Sequence, residues 1–280
     1  MTLRLRPGQD FSWHRVVSLA RKDARELMRN PGAIIPPILM LFASLFPLFL
    51  VVFIVPTMMG QTLEESGEFA EEAANAVGRI PELAGLSGNA LVQSFLFHQF
   101  SLLLLLVPIV SATALATHAV IGEKQSKSLE PLLATPISTI ELLAAKTLTP
   151  FAFALALSWI AVVLEVLGVI AIGEPGIWRS LVTPRLFLLF GVLGPLVELA
   201  SLQVSVIVSS RTNDPRSAQQ LTALLILPVT VVFVAQLMGL MILGTGTILL
   251  AALACLGLNI VLAYIGVLVF QREAILTRWR

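Results

Sequence analysis

The chain has 280 residues, 57% of them hydrophobic and 12% charged, with a mean hydropathy of +0.91 and a formal net charge of +1. Soluble domains carry about 25% charged residues. The composition therefore excludes an ordinary aqueous enzyme and points to an all-α integral membrane protein, with no charge excess that calls for a nucleic-acid partner.

The first residues lack the short apolar core and small-residue cleavage site of a signal peptide. Residues 1–31 instead form a basic arm. In FSWHRVVSLARKDARELMRNP, Trp13, Val16, Val17, Ala20, Ala24, Leu27 and Met28 recur at helical spacing on one face. Arg15, Lys22, Arg25 and Arg29 point elsewhere, and Asn30-Pro31 stops the helix. A basic amphipathic helix directly before a span is expected to lie in the membrane interface, its arginines on anionic lipid.

A spanning helix needs about 20 predominantly apolar residues. Six stretches qualify: 33–58, 95–121, 147–172, 185–209, 221–243 and 247–270, within a transmembrane domain of residues 32–280. An even number places both termini on one side. That side carries fifteen of the lysines and arginines, and the other only Arg79, Arg179 and Arg185. The positive-inside rule then makes both termini cytoplasmic.

The outer loop, residues 59–94, carries Glu64, Glu65, Glu68, Glu71, Glu72 and Glu82 against Arg79 alone. Leu63, Ala70, Ala73, Ala74, Val77 and Ile80 approximate a helical stripe that Gly67 weakens, so one or two short capping helices are expected. The acidic run fits either a solvated face or a vestibule that gathers cations. Trp178 is placed near the outer interface, and the GTGT turn makes the last two spans a tight hairpin.

Between the second and third spans the chain pauses at GEKQSKSLEPLLATPISTIELLAAK, residues 122–146. Ser128 is an N-cap candidate and Pro131 falls in the first turn, where proline is tolerated. Leu129, Leu132 and Leu133 make a small apolar face, and Pro136 ends the element. Ser138 to Glu141 is a capping-box pattern that starts the next helix. On the residues alone, the leucines fit the lipid interface or a partner's groove equally well.

Glu123, Lys124, Ser128, Leu129, Glu130, Leu132, Leu133, Thr135, Pro136 and Ser138 resemble the signature of the membrane subunits of ABC-2 type exporters. The later SSRTNDPRSAQQLTALLILP looks like the matching segment of the sodium-efflux (NatB-like) branch, although GTGT leaves no room for the re-entrant outer helices of many relatives. The resemblance implies a permease subunit of a prokaryotic plasma-membrane exporter, with 129–134 as a coupling helix. Leu129, Leu132 and Leu133 would anchor it in a groove of a separate ABC ATPase subunit, with Glu123, Lys124, Ser128, Glu130 and Pro136 setting its register and ends. It also implies a second permease copy or a homologue, and ATP and magnesium on the partner. This chain has no G-x-x-x-x-G-K-[ST] phosphate loop of its own.

Glu165 and Glu198 lie within spans, where a carboxylate costs several kcal/mol unless protonated, paired or wetted, and so marks a candidate pathway. Gln203, about a turn beyond Glu198, joins them as a pathway candidate or as an interhelical hydrogen-bonder. His98 and His118 stand at opposite ends of one span, too far apart to share a metal, and Cys255 has no ligand partners nearby. Pro47, Pro108, Pro150, Pro195 and Pro228 are expected to bend their helices. There is no H-E-x-x-H, no G-x-S-x-G and no paired intramembrane aspartate, so no catalytic residue is expected. The competing reading is a stand-alone proton- or ion-coupled carrier that uses Glu165 and Glu198.

Overall fold

A computed structural model describes residues 12–67, 69–125, 139–212, 214–241 and 243–269. Among them every regular element is helical. Six helices are long and apolar enough to cross a membrane: Pro31–Met59, Gly88–Gly122, Ala144–Ile172, Pro184–Arg211, Arg216–Leu237 and Thr245–Gly266. They are called the first to sixth spans below. The protein is an all-α integral membrane protein.

The second span is the axis of the bundle. Its apolar window is 89% buried inside the chain, against 11% and 17% for the fifth and sixth spans. Leu102, Leu104, Leu105 and Val107 of the second span pack with Leu41 and Leu45 of the first, Ala161 and Val162 of the third, and Leu186 to Leu193 of the fourth. Where the second span meets the fourth it presents small residues. Ala112 and Ala116 face Leu202 and Val206, with Ala154 of the third span completing the contact. Small residues let membrane helices approach closely, which is how such bundles gain dispersion energy without a hydrophobic driving force.

The spans are not uniform α-helices, and proline explains where they depart. Proline lacks an N–H and its ring collides with the carbonyl four residues earlier. Pro56 meets Val52, inside a π-turn at Leu50–Ile54. Pro195 meets Gly191, inside a π-turn at Leu189–Leu193. Pro108 and Pro228 meet Leu104 and Leu224, both inside 3-10 turns at Ser101–Leu105 and Ala223–Leu225. In each case the helix changes pitch at the carbonyl that proline disturbs. Pro47 and Pro150, in contrast, sit within stretches of regular α-helix.

Asn30 ends the N-terminal helix, Trp13–Met28, and also begins the first span, its Oδ1 accepting the Gly32 N–H at 3.0 Å. The second span begins at Gly88 rather than near residue 95, because the segment before it packs over its first turns. That segment holds two short helices, Leu63–Ser66 and Ala70–Ala76, split by Gly67 in the left-handed region at φ 71°. Leu63, Ala73, Ala76, Ile80 and Leu83 are buried against Val92, Phe95 and Leu96. Asn89 stitches the cap together. Its Oδ1 accepts from the Leu63 N–H and its Nδ2 donates to Glu174 between the third and fourth spans. Glu64, Glu65, Glu71 and Glu72 are exposed. The fifth span ends at Leu237, where Gly239 turns left-handed, and the sixth begins at Thr245, so only Gly244 of GTGT lies in the connection, which starts instead at 238.

Candidate functional site

The chain between the second and third spans holds the densest set of expected functional residues. Ser128, Leu129, Glu130, Leu132, Leu133 and Pro136 lie outside the described residues. Glu123 and Lys124 belong to the last turn of the helix Leu106–Gln125. The structure describes what receives this segment: a continuous helix, Thr139–Ile172, and the N-terminal helix laid across its start.

A 34-residue helix with a rise of 1.5 Å per residue is about 51 Å long, well beyond a hydrocarbon core of about 30 Å. Residues 139–143 precede the candidate span at the Thr139 end, and the N-terminal helix grips this end through three sets of polar contacts. Glu141, 1% exposed, accepts the Ser12 backbone N–H at 2.8 Å and the Arg15 guanidinium at 2.7 Å and 3.2 Å. Lys146 sets its ammonium 2.9 Å and 3.1 Å from the two oxygens of Asp23, with both residues buried. Thr149 donates to the Ala20 carbonyl at 2.8 Å. Val16, Leu19 and Ala145 fill the space between these contacts.

This geometry divides the amphipathic helix differently from its sequence pattern. Val16, Leu19, Ala20, Asp23 and Leu27 form the buried strip, which meets protein rather than lipid. Trp13 and Met28 are 65% and 62% exposed, and with Val17 they form an exposed apolar strip. Arg15 turns inward to Glu141. Asp23 was not singled out by composition or motif, although it stands seven residues after Val16 and so on the same helical face. An acid on the apolar side of a basic helix is the signal that finds it.

The intramembrane polar residues do not converge on one point. Glu165 of the third span is 1% exposed and accepts from Ser101 Oγ at 2.6 Å, in the 3-10 turn of the second span. Glu198 of the fourth span is wholly buried. The Leu155 backbone faces it, but neither carboxyl oxygen has a hydrogen-bond donor among the described residues. Ser201, Ser205 and Ser209 continue its face of the helix, all buried. Gln203 turns away from Glu198 and donates to Asn259 Oδ1 of the sixth span at 3.2 Å. Asn259 in turn donates to the Leu196 and Cys255 carbonyls. A lone amide in the run LGLNIV is visible in the sequence, and searching the spans for amides as well as carboxylates would have found it. Glu165 and Glu198 both lie in the interior of one chain's bundle.

His98 accordingly pairs locally, its Nδ1–H donating to the Ser94 carbonyl at 2.9 Å. His118 lies against Gly32, where an added Cβ would meet its ring at 3.3 Å. Outside the spans, two carboxylates titrate below their usual range. Glu65 is held down by the Thr62 backbone N–H and hydroxyl, and Asp214 by the Ser217 hydroxyl and N–H. Among the described residues no three His, Cys, Asp or Glu side chains gather as a metal site.

Two helices flank residues 126–138, and one of them is bolted to the N-terminal helix by buried charge. Residues 17–252 match the family described as ABC-2 family transporter protein. A search of curated proteins finds no match.

Proposed function

From the premise that the chain belongs to the ABC-2 family of transporter proteins, we propose that it is the membrane subunit through which a separate ABC ATPase drives efflux of an ion or small molecule. The chain is a multi-pass membrane permease of the ABC class. The finer assignment, sodium-efflux-like, is supported by the resemblance of the segment Ser209–Pro228 and by the extended cap before the second span.

The observation that carries the mechanism is the buried Asp23–Lys146 pair beside Arg15–Glu141. In this reading, residues 129–134 dock in the partner's groove through Leu129, Leu132 and Leu133, with Glu123, Lys124, Ser128, Glu130 and Pro136 around them. ATP and magnesium bind on the partner. When the partner closes, its push arrives at the start of Thr139–Ile172. Glu141 and Lys146 lie within eight residues of that start, so the N-terminal helix and the third span move as one body. A rigid helix loses little of the displacement, and the π-turns in the first and fourth spans supply the places where neighbouring helices change shape.

Inside the membrane, Glu165 and Gln203 each link two spans, and Glu198 offers an unpaired polar group in the same core. Relative motion of the spans would break these links and present the three side chains to a cargo between two copies, or between this chain and a homologue.

The test is co-purification from the native membrane, comparing the unaltered chain with Leu133→Asp. An ATPase subunit is expected with the former and absent from the latter. An ATPase that stays with the variant, or transport by the purified chain without any ATPase, would overturn the assignment in favour of a stand-alone carrier.

A further inference from the structure

The end of the bundle opposite the N-terminal helix contains a small recess, with a few polar groups among leucines, that coupling to an ATPase does not use. It lies between the second span and the start of the fourth, lined by His98, Ser101, Thr183, Arg185, Leu186 and Leu189. Its cavity volume is about 20 Å³. A space of roughly 10–15 Å³ already holds one water-sized group, so the recess takes a single small atom or one oxygen of a larger molecule.

Arg185 is 8% exposed, and its Nη1 has no acceptor. The Thr183 hydroxyl is likewise buried without a partner. Ser101 shares its one proton between the Phe97 carbonyl and Glu165, and His98 gives its Nδ1 proton to the Ser94 carbonyl. The free donors are therefore the guanidinium and one hydroxyl. A water could satisfy their hydrogen bonds but would place no negative charge in contact with the buried guanidinium, which is the expensive part. Glu82, in the cap's 3-10 turn Pro81–Leu83, is the carboxylate whose charge acts on Arg185, yet no hydrogen bond or ion pair joins the two.

We propose that this recess binds a small anion: a single anionic acceptor atom, from a halide or from a carboxylate, seated between Arg185 Nη1 and Thr183 Oγ1. Contact at hydrogen-bond distance favours the anion over Glu82, which acts from farther away and weakens it.

The probes are sodium bromide, sodium acetate and, as a bulky control, sodium gluconate at equal concentration. Two quantities are read on the chain purified with the subunits it is isolated with: the unfolding temperature in each salt, and the bromide anomalous signal in crystals. A bromide peak beside Arg185 and Thr183 is expected, with unfolding raised by bromide relative to gluconate. Both effects should be lost in Thr183→Val and Arg185→Gln. Glu82→Gln should tighten bromide on the order of tenfold, a gain that misfolding cannot imitate. Acetate that stabilises equally and displaces bromide would identify carboxylates as ligands too, while bromide alone would identify a halide site. The proposal is overturned by equal unfolding temperatures in all the salts, by a peak without stabilisation in solution, or by a peak that survives Arg185→Gln.

Discussion

Gly168 of the third span lies directly beneath the ring of Phe49 in the first. A Cβ added to Gly168 would collide with Phe49 Cζ. The ring has little freedom to retreat, because it stacks on Phe53 with centroids 5.9 Å apart and meets Phe97 edge-on at 6.5 Å. Phe49 is also the last residue before the π-turn at Leu50–Ile54. Gly168 therefore sets how closely the third span can approach the bent part of the first.

Gly168→Ala is expected to destabilise the protein by about 1–3 kcal/mol, the usual consequence of overpacking a tight core. Unfolding of the purified protein in detergent measures it. Combining the substitution with Phe49→Leu should recover part of the loss, because the smaller side chain vacates the contested space. An unchanged midpoint for Gly168→Ala would mean the two spans are not in contact there.

The Asp23–Lys146 pair allows a test in which the order of effects matters more than their size. Removing one partner of a buried ion pair strands the other, at about 3–5 kcal/mol. Lys146→Met should therefore be strongly destabilising. Lys146→Met with Asp23→Leu should be much closer to the unaltered protein, since an apolar pair of similar volume replaces both charges. Denaturation of the single and double variants gives the coupling energy. Additive losses would show that the charges contribute independently.

Six spans were legible because each needs only a long apolar run, a signal that survives without any knowledge of neighbours. The ends were less so. The first turns of the second span contain Asn89, Gln93 and Ser94, which look like loop residues until the outer cap covers them and Glu174 bonds to both amide side chains. The site was legible in pieces. The pattern around residues 122–146 marked the receiving helix, but its clamp joins residues 123 positions apart, as Asp23 and Lys146 are, and periodicity carries no information about such a pair. Arg185 was visible only as a charge that fixes topology. What makes it chemically unusual is burial without a partner, a property of the packed bundle.

Asn259 should matter more than Gln203, although each is half of the same hydrogen bond. Gln203 donates once, to Asn259 Oδ1. Asn259 Nδ2 in addition bonds the carbonyls of Leu196 and Cys255 at 2.9 Å and 2.8 Å. Interhelical hydrogen bonds in membranes average about 0.6 kcal/mol, so Gln203→Leu is expected to cost about that much. Asn259→Leu should lose about twice as much, and it loosens the sixth span from the fourth. Cysteine accessibility along the sixth span, compared between the two variants, reports the loosening directly. Equal accessibility in both would show that the Leu196 contact carries no weight.

Asp214 begins the fifth span's helix as its N-cap. It accepts from the Ser217 N–H at 2.9 Å and the Ser217 hydroxyl at 2.8 Å. These bonds hold its carboxyl below the ordinary value of 3.8. The sign follows from linkage: a group whose folded pKa is depressed stabilises the fold fully above the ordinary value and loses that contribution as pH falls through the lowered one. The Asp214 carboxyl carbon and the Ser217 amide should therefore titrate together by NMR, with a shared midpoint below 3.8. Asp214→Asn keeps a good capping side chain but has no proton to take up. The Ser217 amide should then stay protected at neutral pH while its titration disappears. A Ser217 signal that still moves with pH in this variant would place the responsible group elsewhere, and Arg216, the neighbouring charge that also favours the ionised carboxylate, would not account for it.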